Sequence, residues 1–178
     1  MAERNERNPN IAYCTYVLNG EPLSELTCEG MTYEAFSGDV DTYVNNARYQ
    51  DIVKLGPLPL GRYYILDRES GGMLGWLRQP VNDYFAETDR SEWLSLYRDD
   101  EVVDDMTTIN HIQRSAFRIH PVGPRGISQG CVTLTSKLAF DELRIFLRNR
   151  PGEILNGRDI KYYGVLDVFD KPQSKINR

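Results

Sequence analysis

The most informative stretch of this chain is residues 117–134, FRIHPVGPRGISQGCVTL, around which the rest is organised. The first four residues alternate apolar and polar side chains, which predicts a short strand with His120 on its polar face. Pro121 ends this strand, and the glycines and prolines that follow it predict a turning loop. The loop closes on Cys131, and an apolar residue follows directly. We therefore expect a His and a Cys at the two ends of one tight loop.

A His and a Cys in this arrangement indicate nucleophilic catalysis. The thiolate is the nucleophile, and a neighbouring His120 can take the proton of Cys131 and return it to the leaving group. Gly130 lets the backbone approach the reacting centre, so the N–H groups of Gly130 and Cys131 are candidates for an oxyanion hole. Ser128 would orient His120 or hydrogen-bond the substrate. Cys131, His120 and Ser128 are thus the candidate catalytic residues.

The order of these residues is similar to that of a known family. A His, a glycine-containing loop, Ser-x-Gly-Cys and an apolar residue resemble the signature of the L,D-transpeptidases with a YkuD-type catalytic domain. His-Pro-x-Gly-Pro followed by Ser-x-Gly-Cys most resembles the L,D-transpeptidase effectors of type VI secretion. Residues 56–66, GPLPLGRYYIL, also resemble the family's segment of Pro-x-Gly and an aromatic strand, and residues 35–38, AFSG, are similar to the N-terminal part of the effectors.

Two positions differ from the common pattern of that family. The common enzymes have His before the Gly-Cys pair, where this chain has Gln129, and they often have Arg two residues after the Cys, where it has Thr133. A threonine offers no charge to a carboxylate, whereas arginine offers a fork of donors. We therefore assign substrate binding to Gln129, Thr133 and Arg125, the nearest basic residue in the loop. Arg118 is the second choice for the substrate carboxylate.

The resemblance implies a fold, an activity and partners. It implies a YkuD-like L,D-transpeptidase β-sandwich that uses no cofactor. It implies attack by Cys131 on the bond between the diamino acid of a peptidoglycan tetrapeptide stem and its terminal D-alanine. Water would then release a tripeptide, as in an L,D-carboxypeptidase, or an amine would exchange, as in an L,D-transpeptidase. An antibacterial effector toxin of this kind implies a secretion-machine carrier, a cognate immunity protein and action in the periplasm of a target bacterium.

Composition narrows the class of protein. The chain has 178 residues, of which 40% are hydrophobic, and this is typical of a single domain with a real core. A net charge of −5 argues against a nucleic-acid partner. No apolar run reaches transmembrane length, so no membrane insertion is expected. The first ten residues, MAERNERNPN, lack the apolar core of a secretory signal, so we expect synthesis in the cytoplasm without Sec export.

The residue patterns predict a mainly β domain with one packed helix, an α+β fold. The predicted strands are residues 11–18, 23–28, 31–36, 62–66 and 164–169, with a hairpin turn at Asn19-Gly20 between the first two. A helix is expected from an N-cap at Thr135 or Ser136 to the stop at Pro151-Gly152. Residues 73–109 mix bulky apolar side chains with acidic ones, and we interpret them as a candidate lid or capping insertion beside the active site.

The other cysteines leave two alternatives open. The chain has three cysteines, an odd number that does not suggest a full disulfide framework. Cys14 and Cys28 lie on either side of the first predicted hairpin, so they would pair in an oxidising periplasm or remain two buried thiols, and we favour the thiols. With two histidines and no CxxC or HxxxH spacing, no metal site is expected.

Rival functions can be separated by simple observations. Papain-like wall amidases place Cys before His, and sortases separate the two widely, whereas here His120 shortly precedes Cys131. A housekeeping L,D-transpeptidase of the producer's own wall would carry an export signal. A non-enzymatic peptidoglycan-binding module would have an inert Cys131, which a measurement of thiol reactivity would reveal.

Overall fold

The computed structural model describes residues 7–68, 89–156 and 159–171. Most of their regular elements are strands, and the others are one α-helix and two short 3-10 helices at Ala47–Tyr49 and Arg90–Glu92. The elements are β1 (Ala12–Leu18), β2 (Ser24–Cys28), β3 (Met31–Phe36), β4 (Gly61–Asp67), β5 (Leu94–Arg98), β6 (Met106–Ile109), β7 (Ile112–Ser115), β8 (Arg118–Pro121), β9 (Val132–Leu134), α1 (Lys137–Arg148), β10 (Glu153–Ile154) and β11 (Lys161–Asp170).

Eight of the strands pair into a closed ring. Their order is β1-β2-β3-β9-β8-β5-β4-β11, and β11 pairs in turn with β1, which closes the barrel. Most neighbours are antiparallel, but β8 pairs with β9 and β1 pairs with β11 in parallel. β10 adds to β11, while β6 and β7 form a separate hairpin. A closed ring leaves none of its strands with a free edge along its whole length.

The barrel core is filled by alternate residues of the strands and by one face of α1. Ile119 of β8 and Val132 of β9 are fully buried in this core, so their strand neighbours face the other way. Ser136 caps the helix by accepting from the backbone N–H of Ala139. The helix buries Phe140, Leu143 and Leu147 in the same core. Each such side chain stabilises the fold by about 1.5–3 kcal/mol through removal of apolar surface from water.

The structure corrects the interpretation of Cys14 and Cys28. The two residues are directly opposite in the antiparallel pair of β1 and β2, with their Cα atoms 4.1 Å apart. They form a disulfide, so the favoured interpretation of two buried thiols is wrong. Both side chains lie inside the barrel core. Cys131 is the free cysteine.

The expected mainly β fold with one helix is confirmed, and the predicted strands and helix all occur within a few residues of their expected bounds. The two-layered sandwich is not confirmed, because the pairing joins the strands into one ring. Within the interval 73–109, β5 is a barrel strand paired with β4 and β8, and residues 73–88 lie outside the described residues. No helix in the described ranges is long and apolar enough to cross a membrane.

Candidate active site

The parallel pair of β8 and β9 brings the two ends of the loop together. His120 is in register with Thr133, one position beyond the core pair of Ile119 and Val132. Since side chains alternate along a strand, His120 and Thr133 share the face away from the core. Cys131 immediately precedes β9 and lies two residues before Thr133. If the alternation of β9 extends to Cys131, we expect its sulfur on the face that carries the imidazole.

The imidazole of His120 is held on both of its nitrogens. Nδ1 lies 2.8 Å from the carbonyl oxygen of Pro121, and Nε2 lies 3.3 Å from the hydroxyl of Thr133. A carbonyl oxygen only accepts, so the proton of the neutral ring is on Nδ1 and the lone pair is on Nε2. This is the tautomer that can accept a proton from a thiol.

Burial keeps His120 uncharged. The residue is 1% exposed, and its ring stacks on the indole of Trp93 with centroids 4.3 Å apart. Burial lowers the pKa of His120 to about 4, against a smaller opposing effect of the Pro121 carbonyl. The positive charge of Arg118 lowers it further. At neutral pH the imidazole is therefore in the basic form that proton abstraction needs.

The sulfur of Cys131 lies among groups that act in opposite directions. Burial raises the pKa of the Cys131 thiol to about 11, although the residue remains partly exposed. The charge and the backbone N–H of Arg118 oppose this effect, as does the charge of Arg114, while Asp105 adds to it. The sulfur lies 3.8 Å from the carbonyl oxygen of Ala116. At neutral pH the thiol is therefore protonated, and a role as nucleophile would require a base.

Arg118 is already engaged by a carboxylate. Its two terminal nitrogens contact both oxygens of Asp105 at 2.5 and 2.8 Å, and one of them also donates to the carbonyl of Phe117. The side chain is 14% exposed, so this two-pronged ion pair is largely buried. Arg118 is therefore a poor second choice for the substrate carboxylate, and its charge instead favours the thiolate of Cys131.

Some residues of the loop between His120 and Cys131 are buried, and others are exposed to solvent. The Ser128 hydroxyl donates to the Cys131 carbonyl at 2.7 Å, a bond that closes the turn before the nucleophile. Gly130 has φ of +103°, a conformation that favours glycine. Arg125 and Gln129 are exposed, where a ligand can reach them. Thr133 is fully buried against His120, so its hydroxyl is a partner of the imidazole.

A comparison with protein-family models identifies the relatives of this chain. The model of the Tlde1 domain matches residues 31–156. The chain belongs to the Tlde1 domain family. This is a family of type VI secretion effectors of the L,D-transpeptidase kind, which act on peptidoglycan. No curated protein and no solved structure matches the chain. The matched part of this Tlde1 domain contains β8, the loop and β9, and hence both His120 and Cys131.

Two residues of this Tlde1 domain take part in the site without any sequence signal that we recognised. Trp93 covers His120, but in the sequence it is one of several bulky residues in an interval with no clear period. Arg114 acts on Cys131 from a different strand, and its partners are backbone carbonyls, which carry no residue signature. Among the described residues, no group of three His, Cys, Asp or Glu could hold a metal ion.

Proposed function

We propose that this protein is a cysteine L,D-carboxypeptidase and L,D-transpeptidase acting on the tetrapeptide stems of peptidoglycan. One observation supports the proposal: the parallel pairing of β8 and β9 brings His120 opposite Thr133, two residues after Cys131, and Nδ1 of His120 faces the Pro121 carbonyl, which leaves the lone pair on Nε2. A thiol and a neutral imidazole so arranged are the parts that nucleophilic acyl transfer requires. Family membership supplies the substrate, since the family acts on peptidoglycan.

The reaction divides into two acyl transfers. The Cys131 sulfur attacks the carbonyl carbon of the diamino acid, while its proton passes to Nε2 of His120. The C–N bond to D-alanine then breaks, and the imidazolium returns the proton to the leaving amine, which leaves a thioester on the sulfur. Water attacks the thioester, gives its proton to His120 and releases the tripeptide and the thiol. A D-amino acid that attacks with its amine restores a tetrapeptide instead.

The surrounding groups would stabilise the charge that develops during attack. The backbone N–H groups of Gly130 and Cys131 are the proposed donors to the oxyanion, and loss of one such donor typically costs about 100- to 1000-fold in kcat. Arg125 and Gln129 are exposed on the same loop, where they would meet the stem peptide and its terminal carboxylate. Ser128 would act indirectly, by holding the carbonyl of Cys131.

The proposed place of action is the periplasm of a target bacterium. The Cys14–Cys28 disulfide supports this compartment, because disulfides persist in oxidising environments and are rare in the cytoplasm. A secretion-machine carrier and a cognate immunity protein are the partners that an effector of this family would need.

Digestion of purified muropeptides tests the proposed reaction. We expect the wild-type protein to convert tetrapeptides to tripeptides, and to give exchanged tetrapeptides when a D-amino acid is added, with the masses read by mass spectrometry. Cys131→Ala should abolish both products. His111→Ala, which changes the other histidine at the exposed β6–β7 turn, should retain them. Tetrapeptides that stay intact in the presence of folded wild-type protein would refute the proposal.

A further inference from the structure

Arg114 is a buried charge that the proposed reaction does not yet use. The residue lies on β7 and is 3% exposed. Its guanidinium donates to the carbonyl of Gly56 at 3.1 Å, and it also meets the carbonyls of Gln50 and Pro57. Burial lowers the pKa of Arg114, because the charged form has lost its water. Burial of a charge costs free energy, so a buried arginine next to the proposed site is a candidate for a functional role.

The guanidinium also packs against the backbone next to the nucleophile. A Cβ atom added to Gly130 would lie 2.4 Å from Nη2 of Arg114, so the two groups are in direct contact. The same added atom would lie 3.1 Å from the ring of Phe117, over which the guanidinium of Arg114 also lies. Arg114 therefore joins three parts of the protein: the β6–β7 hairpin, the loop of residues 50–57, and the end of the catalytic loop.

The charge of Arg114 reaches the sulfur as well. It favours the thiolate of Cys131, in the same direction as Arg118. The two arginines differ in their own partners, since Arg118 pairs with both oxygens of Asp105, whereas Arg114 hydrogen-bonds to carbonyls and is influenced by the charge of Asp51 without a two-pronged pair. A cation whose hydrogen bonds go to neutral acceptors is less neutralised by its partners, so it attracts a neighbouring anion more strongly.

We propose that Arg114 is a positioning residue for the nucleophile, fixing the backbone at Gly130 and adding a positive charge behind Cys131. The inference rests on the proposed role of Cys131. The guanidinium is fixed by its hydrogen bonds to the carbonyls of Gly56, Gln50 and Pro57, and its packing against Gly130 would restrict where the N–H groups of Gly130 and Cys131 point. Its charge stabilises the sulfur anion that forms as the proton leaves for His120.

Arg98 supplies a matched control. Its guanidinium donates to the carbonyl of Leu60 at 2.9 Å and to Thr107 of the same β6–β7 hairpin, and it packs on Gly61 as Arg114 packs on Gly130. Arg98→Met and Arg114→Met thus each remove an arginine that ties this hairpin to a loop. Only the second change removes a charge that touches the catalytic loop.

The experiment is the rate of iodoacetamide alkylation of Cys131 against pH, with muropeptide turnover measured in parallel. Arg114→Met should move the alkylation midpoint to higher pH, because a positive charge that favours the thiolate is lost, and lower kcat with little change in KM. Arg114→Lys should keep the midpoint near that of wild type, because the charge remains. Its kcat should stay low, because an ammonium cannot reproduce the fork of donors. Arg98→Met should leave the midpoint unchanged.

An unchanged midpoint in Arg114→Met, or an equal change in Arg98→Met, would overturn the inference. If Arg114→Met fails to fold, Arg114→Lys decides alone: wild-type kcat in that variant would show that the fork has no positioning role. The alkylation profile does not depend on any substrate. A wild-type protein without turnover would therefore refute the proposed reaction while the profile still reports the effect of Arg114 on the thiol.

Discussion

The indole of Trp93 stacks on the imidazole of His120, with the ring centroids 4.3 Å apart and the planes 18° from parallel. This contact covers one face of the ring, while the Pro121 carbonyl and the Thr133 hydroxyl occupy its edges. The imidazole is thereby separated from water and held neutral. The same contacts hold the ring in place, so one set of neighbours fixes both the protonation state and the orientation of the imidazole.

The stability of the protein should depend on His120 at acidic pH. Unfolded chains bind a proton at this residue below about pH 6.5, whereas the folded protein resists protonation down to about pH 4. The unfolded state thus binds more protons between these values, and the free energy of unfolding should fall by up to about 3 kcal/mol as the pH falls through this window. Urea denaturation across the window measures the effect. His120→Gln should remove this part of the pH dependence, and identical slopes for the two proteins would contradict the prediction.

Trp93→Leu should raise the pKa of His120 toward its ordinary value. Loss of the stacked ring admits water to the imidazole, which favours the charged form. Trp93→Phe keeps an aromatic face and should change the pKa less. An NMR titration in a His111→Gln background follows the single remaining histidine. A pKa that is unchanged in the leucine variant would show that the edge contacts alone keep the ring neutral.

Asp105→Asn should lower the pKa of the Cys131 thiol. The carboxylate of Asp105 disfavours the thiolate and also pairs with Arg118, so its neutralisation frees the positive charge of that arginine. The alkylation midpoint should move to lower pH, the reverse of the change expected in Arg114→Met. Stability should also fall, because Arg118, whose side chain is 14% exposed, loses its charged partner.

Asp104→Asn is the matched control for this change. It removes one negative charge from the adjacent residue, whose carboxylate accepts from the backbone N–H of Met106. We expect it to leave the midpoint of Cys131 alkylation in place. A shift of the alkylation midpoint of equal size in both variants would mean that the sulfur responds to the net charge of this region and not to the ion pair of Asp105 with Arg118.

Reduction of the Cys14–Cys28 disulfide should destabilise the barrel by about 3 kcal/mol, the value for a loop of about 15 residues. The melting temperature should then fall by about 6–12 °C for a chain of this size. Thermal melts with and without dithiothreitol, in a Cys131→Ala background, measure the difference. Cys14→Ala/Cys28→Ala in the same background should not respond to the reductant. Equal melting temperatures of the oxidised and reduced forms would show that the disulfide does not contribute to the stability of the fold.

Arg125→Ala should weaken binding of the stem carboxylate by about 1.5–3 kcal/mol, which is about 10- to 150-fold in KM. Arg125→Lys should recover only part of this loss, because it cannot make the two-pronged contact. Steady-state kinetics on one tetrapeptide decide between the variants. Arg48→Ala, at another exposed arginine, controls for a general loss of positive charge. An unchanged kcat/KM in Arg125→Ala would leave Arg125 as a solvated loop residue.

Short-range patterns in the sequence predicted the parts of the fold that depend on neighbouring residues. The alternation around His120 predicted β8, Asn19-Gly20 predicted the β1–β2 hairpin, and Ser136 was one of two expected caps for α1. The His-loop-Cys order predicts that both residues meet at one site, and the pairing of β8 with β9 brings the two ends of the loop together, while their joint action stays a prediction. The hydrogen-bond partners of Ser128 and Thr133 could not be assigned from the sequence, since a hydroxyl in or beside a loop has several possible partners nearby.

Contacts between distant parts of the chain were not predictable in the same way. Closure of the barrel depends on the pairing of Ala12 with Gly164, and no local pattern records such a partner. Arg114 bonds to carbonyls more than fifty residues earlier, and any residue type supplies a carbonyl. The hairpin of Cys14 and Cys28 was expected, but their oxidation depends on the exact opposition of the two residues across it.

β11 pairs in parallel with β1 and antiparallel with β4, so it is the strand that completes the ring. A ribosome makes His120 and Cys131 well before it makes Lys161–Asp170. Until β11 emerges, β1 and β4 each present an unpaired edge, and the barrel wall beside the helix stays open. Such edges recruit other strands, which makes the nascent chain prone to aggregation. β11, the last of the described strands to be synthesised, therefore determines when the core can be sealed from water.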